Sequence, residues 1–190
     1  MKLVLKYGGT SISSAKDIQN VAKHIQSLSK QNQLVIVCSA ISDTTDDLIE
    51  ISQSIKKENK KKAEQLAKKI SNRHQQLAKQ TIKKSQIRKK LTQTFDEYFD
   101  ELMALIDGMV LLGEVTPRSM DYLFSFGERL SIQIVSSAIN DLGKKSVSLT
   151  GKEVGIVTDS NFGESKPLMD TTRLRVSKTL DSLFSKKNTN

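Results

Sequence analysis

The chain has no tryptophan, a single cysteine and no long apolar run, and each shortage removes a class of protein. With 37% hydrophobic residues over 190 positions, the core has to be modest and aliphatic, sufficient for one sizeable domain and short for two. The lone thiol, Cys38, excludes an internal disulfide framework and fits a reducing compartment. The longest apolar stretch, Leu34 to Ile41, is interrupted by Ser39 and is far too short for a bilayer. Strand-like sequence carrying Lys2 and Lys6 stands where a signal peptide would be. A soluble, cytoplasmic protein without a membrane partner is expected.

Signatures of common chemistries are missing too. There is no GxSxG, no GxxxxGK(S/T) and no GxGxxG, so hydrolase, P-loop and Rossmann dinucleotide chemistry are unsupported. His24 and His74 each fall in a helical pattern without Cys, His or acidic partners at ligand spacing, and no metal site is predicted. The net charge of +9 raises nucleic acid as a partner. Residues 56–90, however, hold fourteen of the thirty Lys and Arg against Glu58 and Glu64, so that segment carries +12 and the rest of the chain −3. A charge run is usually a solvated face, and no aromatics interleave it, so nucleic-acid binding is disfavoured.

What is present begins at the N-terminus. Leu3-Val4-Leu5 has the length of a short buried strand and runs into Lys6-Tyr7-Gly8-Gly9-Thr10-Ser11. Paired glycines permit positive φ and close approach to a ligand. Successive N–H groups, a following helix N-terminus and the Lys6 charge would favour an anion there. Such a turn is equally often a plain connection.

Ser14-Ala15-Lys16-Asp17 has the form of a capping box opening a helix with Ile18, Val21, Ala22, Ile25 and Leu28 on one face. Leu34–Cys38 reads as a strand buried on both faces, giving a βαβ unit and a parallel sheet. The hydroxyl- and carboxylate-rich 39–47 stretch reads either as an N-cap for a helix marked by Leu48, Ile51, Ser52 and Ile55, or as a ligand loop at the carboxyl end of a strand. From Lys56 to about Ile106 only helical spacing appears: Leu66, Ile70 and Leu77, then Ile87, Leu91, Phe95, Tyr98, Leu102 and Leu105. Gly108 and Gly113 close this excursion. Thr116-Pro117 opens a helix with Met120, Leu123, Phe124, Gly127, Leu130, Ile134 and Ala138 as its stripe, ending at Gly143. Glu128 in this helix reads as a surface carboxylate or a partner of Arg129. Ser146–Leu149 and Gly155–Asp159 read as further strands, Asn161-Phe162-Gly163 as a turn, Leu174–Phe184 as a last helix, and 185–190 as a frayed end.

Four stretches in this order resemble the aspartate kinases of the amino acid kinase family. They are Lys6-Tyr7-Gly8-Gly9-Thr10-Ser11, Ser39-Ala40 with Thr44-Thr45-Asp46, Ser125-Phe126-Gly127-Glu128-Arg129-Leu130-Ser131, and Gly155–Asp159 with Asn161-Phe162-Gly163. Tyr7 stands where the family usually has Phe, and the resemblance runs from Lys2 to about Thr179. It implies an α/β fold, three-layer α/β/α with a mainly parallel sheet and a helical excursion at about 56–107. It also implies the N-terminal, amino-acid-binding part of a catalytic domain. The family phosphorylates the β-carboxylate of L-aspartate with MgATP, giving 4-phospho-L-aspartate on the way to lysine, threonine and methionine.

By that resemblance Lys6 is catalytic and, with Gly8, Gly9, Thr10 and Ser11, meets the phosphates of ATP, with Mg2+ as the accompanying ion. Ser39, Thr45, Glu128 and Phe162 hold aspartate, Glu128 taking the α-ammonium. The family's Arg-Gly-Gly-Ser-Asp stretch, its adenine-binding segment and its ACT domains are absent, so the chain reads as truncated and inactive alone, with exposed sheet edges that favour a homo-oligomer. The rival readings are a kinase of glutamate, acetylglutamate or carbamate, a basic helical nucleic-acid module, and a regulatory or structural subunit.

Overall fold

The computed structural model describes residues 1–185, and the chain divides after Val147 into two compact units. The last residues of the predicted frayed end, 186–190, lie outside the described ones.

The first unit opens with β1 (Lys2–Tyr7), a 3-10 turn (Gly9–Ile12), α1 (Ala15–Leu28) and β2 (Gln33–Cys38). The strands are parallel and in register from Lys2↔Gln33 to Tyr7↔Cys38, so the predicted βαβ unit forms. The capping box forms as well: Ser14 Oγ accepts from Asp17 N, and Asp17 Oδ2 accepts from Ser14 N. Ile18, Val21, Ala22 and Ile25 are buried as their spacing requires.

Then follow α2 (Thr44–Lys56), α3 (Lys60–Thr81), α4 (Ser85–Leu112) and α5 (Pro117–Asp141). Thr116 caps α5 through Ser119 N, with Pro117 at the first helical position, where its missing N–H costs nothing. The helix α5 is central, touching α1, α2, α3, α4 and β2. The excursion is therefore two long helices. Gly108 lies inside α4, and only Gly113, at φ 64°, ends it. The lysines of 56–90 are exposed, while Arg73 and Arg88 are half-buried.

Alternation along the strands turns Tyr7, Leu34, Ile36 and Cys38 toward the helical core. The opposite face is open, with Val4 72% and Val37 44% exposed. β2 is thus covered on one face, not two.

The expected strand at Ser146–Leu149 does not form. Its first peptide spends its polar groups on a side chain instead of a ladder: Asn140 Oδ1 accepts from Ser146 N and Asn140 Nδ2 donates to Ser146 O. In the second unit, α6 (Gly151–Val154) packs on α7 (Met169–Ser185), which starts five residues earlier than its apolar spacing suggests. Gly155–Asp159 yields one antiparallel bridge, Thr158↔Pro167. Leu168 N donates to Val157 O and Asp159 N to Lys166 O across it, but Pro167 has no N–H to extend the ladder and the Thr172 hydroxyl takes up Val157 N. Among the described residues no helix is long and apolar enough to cross a membrane.

Candidate active site

The two parallel strands end side by side, and Ser39 N donates to Tyr7 O at 3.0 Å, one step beyond the ladder. From that point the chain leaves β1 through Gly8-Gly9 and β2 through Ser39-Ala40. Both exits press on Ala40. A Cβ on Gly9 would lie 2.6 Å from Ala40 O, and one on Gly127 would lie 2.7 Å from Ala40 Cβ. Ala40 N donates to Glu128 Oε1 at 3.2 Å, and Ser42 Oγ donates to Gly9 O at 3.4 Å. The opening turn, the β2–α2 loop and the middle of α5 therefore converge within hydrogen-bonding distance, at the carboxyl end of the sheet.

Several sequence expectations acquire a different physical basis. Neither opening glycine has positive φ: Gly8 is extended, and Gly9 enters the 3-10 turn. Gly9 is required for close approach to Ala40 O, whereas a Cβ on Gly8 would meet nothing within 4 Å. The N-terminus of α1 does not serve the turn, because the 3-10 segment intervenes and Asp17 already occupies its cap. Ser13 and Ser14 hydroxyls donate to Asp17 and hold its carboxyl below the usual range, Ser14 more strongly.

The 39–47 stretch does not act as a side-chain cap. Asp43, at the N-cap of α2, sits in the left-handed region at φ 63° and makes no cap hydrogen bond. Thr45 is exposed and Ser39 half-buried. Glu128 does not pair with Arg129. It is exposed apart from its bond to Ala40 N, while Arg129 pairs with Glu101 on α4, stacked 4.4 Å over Tyr98 and 4.5 Å from Phe126. That pair is the main cause of a lowered Glu101 pKa.

Lys6 stands on the open face of the sheet, exposed, with Thr10 and Ser11 exposed beyond it. Ser11 N is already committed to Gly8 O at 3.0 Å, which leaves the leading N–H groups of the 3-10 turn as backbone donors. Cys38, beside Tyr7, is no nucleophile: burial pushes its thiol up to about 11. Phe162 belongs to the second unit, 42% exposed in a turn where Asp159 Oδ1 accepts from Asn161 N and Lys166 N. A cavity of about 240 Å3 near the β2–α2 loop is lined by Ser13, Ile41, Ser42, Asp43 and Arg73 among others and by none of the predicted site residues, which are exposed or half-buried.

A sequence profile of the amino acid kinase family matches residues 1–187. The chain belongs to the amino acid kinase family. It is 30% identical over 188 residues to aspartokinase 2, chloroplastic, of Arabidopsis thaliana, covering 97% of this chain and 33% of that protein. It is 29% identical over 181 residues to the aspartokinase of Corynebacterium glutamicum, covering 94% and 29%. The chain thus spans about a third of the length of the curated relatives it matches. Among solved structures, E. coli aspartokinase III in complex with aspartate and ADP superposes with a TM-score of 0.79 at 18% identity, over 96% of this chain and 39% of that one. That likeness establishes the α/β fold of the family for this chain.

The sequence reads Gly127 as part of the α5 stripe, Ala40 as part of a motif and Arg129 as a partner of Glu128, and it misses the Gly9–Ala40–Gly127 contact, Arg73 and the Arg129–Glu101 pair. A small residue at 40 facing glycines at 9 and 127 is a packing signal, legible only once the three segments are known to meet.

Proposed function

We propose that this chain is the aspartate-binding part of an aspartate kinase, which transfers the γ-phosphoryl group of ATP to the β-carboxylate of L-aspartate. The convergence of Gly9, Ala40 and Glu128 at the ends of the parallel strands carries the reading. It supports the reading because the turn that follows Lys6, the loop that follows Ser39 and the Glu128 carboxylate all contact Ala40 or its neighbour Ser42.

Ala40 N anchors one oxygen of Glu128, and the other has no hydrogen bond among the described residues, so it can receive the α-ammonium of aspartate. The first turn of α2 has no side-chain cap, and its N–H groups with Thr45 and Ser39 suit a substrate carboxylate. The β-carboxylate, with a pKa of about 4, is ionised at neutral pH, so no general base is needed. Catalysis then consists of holding two anions together and neutralising charge on the phosphoryl group. Lys6, the Gly8-Gly9 turn and the hydroxyls of Thr10 and Ser11 fit that second task. ATP supplies the phosphoryl group. Among the described residues no group of three His, Cys, Asp or Glu could hold a metal ion, so these residues do not fit a protein-held Mg2+.

The 190 residues lack the Arg-Gly-Gly-Ser-Asp stretch, so the chain alone is expected to bind aspartate without turning it over. Calorimetry on wild type and Glu128→Gln tests this. Gln keeps the acceptor for Ala40 N and removes the charge, so aspartate affinity should fall about ten- to a hundredfold, as loss of a charged hydrogen bond predicts. Absence of aspartate binding by wild type, or a preference for glutamate, would overturn the assignment. Robust aspartyl phosphate formation would overturn the inactivity.

A further inference from the structure

Two cations of the basic segment, four residues apart on α3, pair with the same carboxylate, the exposed Lys69 from the solvent side and the half-buried Arg73 from within. Asp47, in the first turn of α2, has a side chain only 6% exposed. Lys69 Nζ lies 2.8 Å from Asp47 Oδ1, and Arg73 Nη2 pairs with Asp47 Oδ2. Arg73 also donates from Nη1 to Ser42 O at 2.9 Å. One guanidinium therefore spans the whole entry of α2, from the loop peptide before Asp43 to the helix turn after Thr45. Between those two anchors lies Asp43, whose backbone sits in the left-handed region at φ 63°, a conformation that residues with a Cβ adopt only sparingly. No side-chain cap holds it there. Ser42 in turn donates to Gly9 O, so the same fixed loop supports the opening turn.

We propose that Arg73 is a positioning residue of the substrate site: it locks the Ser42–Asp47 segment so that Thr45 and the uncapped turn of α2 stand ready for the ligand carboxylate. The helical excursion is thereby a brace for the site, anchored from its inner face, while its lysines remain solvated. The role in ligand binding rests on the aspartate reading above; the brace itself does not. Arg is needed because its planar fork reaches two acceptors at once, whereas Lys offers a single compact charge. Arg73→Lys keeps a cation for Asp47 and loses the Ser42 bond, and Lys69 still compensates the buried carboxylate.

The test compares the 190-residue chain with Arg73→Lys and Arg73→Met by amide hydrogen exchange, thermal melting and aspartate calorimetry. In Arg73→Lys, amides at 42–46 should exchange faster while those of α1 and α5 stay as in wild type. If the ligand-ready loop falls to about a tenth of the population, the apparent dissociation constant for aspartate rises about tenfold with little change in melting temperature. Arg73→Met should exaggerate both effects and also lower the melting temperature. Unchanged exchange at 42–46 in both variants overturns the brace. Faster exchange with unchanged aspartate affinity overturns the positioning role. Failure of wild type to bind aspartate instead refutes the substrate assignment, leaving the exchange result to judge the brace alone.

Discussion

Two glycines inside helices of this protein should respond to alanine in opposite directions. Gly108 in α4 has open space where a Cβ would stand, whereas a Cβ on Gly127 in α5 would lie 2.7 Å from Ala40 Cβ and 3.7 Å from Leu48 Cδ1. Each substitution gains the same intrinsic helix preference, about 1 kcal/mol. At Gly127 that gain is opposed by overpacking, about 1–3 kcal/mol in a filled core. The upper part of that range applies, because Ala40 cannot retreat: its carbonyl already abuts Gly9 on the other side. Gly127→Ala should therefore be destabilised by about 1–2 kcal/mol net and Gly108→Ala stabilised by about 1 kcal/mol, with roughly 2–4 °C of melting temperature per kcal/mol at this size. Calorimetric melting of the three proteins decides the matter. A Gly127→Ala protein that melts at or above wild type would refute the argument that Ala40 is clamped. Aspartate affinity supplies a second readout, since displacing Ala40 withdraws its N–H from Glu128, and Gly108→Ala should leave it unaltered.

Two other expectations concern the core and the open sheet. His74 is fully buried, with Nδ1 donating to Ile70 O at 2.8 Å and Nε2 unpartnered, and burial pushes its pKa down to about 4. Below the unfolded value, near 6.5, the unfolded chain takes up a proton that the native state refuses; stability should fall by about 1.4 kcal/mol per pH unit, roughly 2 kcal/mol between pH 6.5 and 5. Chemical denaturation across that window should show the slope in wild type and lose it in His74→Leu; equal slopes would exclude His74 as its source. The exposed face carrying Val4 and Val37 should promote self-association, so sedimentation of the chain is expected to show species larger than a monomer. A monodisperse monomer with low binding of an apolar dye would contradict that.

The fold was legible in the sequence wherever local chemistry decides the element. The Ser14–Asp17 capping box, Thr116-Pro117 and the helical spacing of Ile18 to Ile25 each appear as read. What was hidden depends on partners distant in the chain. Ser146–Leu149 has strand composition, but Asn140 claims its first peptide. Gly108 suggests a break, yet α4 passes through it because its neighbours on the apolar face, Ile106 and Met109, are buried and hold the helix. In the basic segment the lysines are solvated as charge counting implies, while Arg73 and Arg88 turn inward to the carbonyls of Ser42 and Ile82. Composition treats all fourteen cations alike. Only geometry separates the two whose forked donors find backbone acceptors.

The site motifs divide the same way, and the division bears on how the site works. Lys6, Ser39, Thr45 and Glu128 were singled out for their chemistry, and the structure leaves all four exposed or half-buried. Gly9, Ala40 and Gly127 have no chemistry of their own, yet their close contacts fix the separation of the three segments that carry those groups. A larger side chain at any of the three would part the segments without touching a ligand group. Core packing and ligand geometry are thus coupled through Ala40: its carbonyl faces Gly9, its methyl faces Gly127, and its N–H holds Glu128. Substitutions there should change stability and aspartate affinity together, whereas Glu128→Gln should change affinity alone.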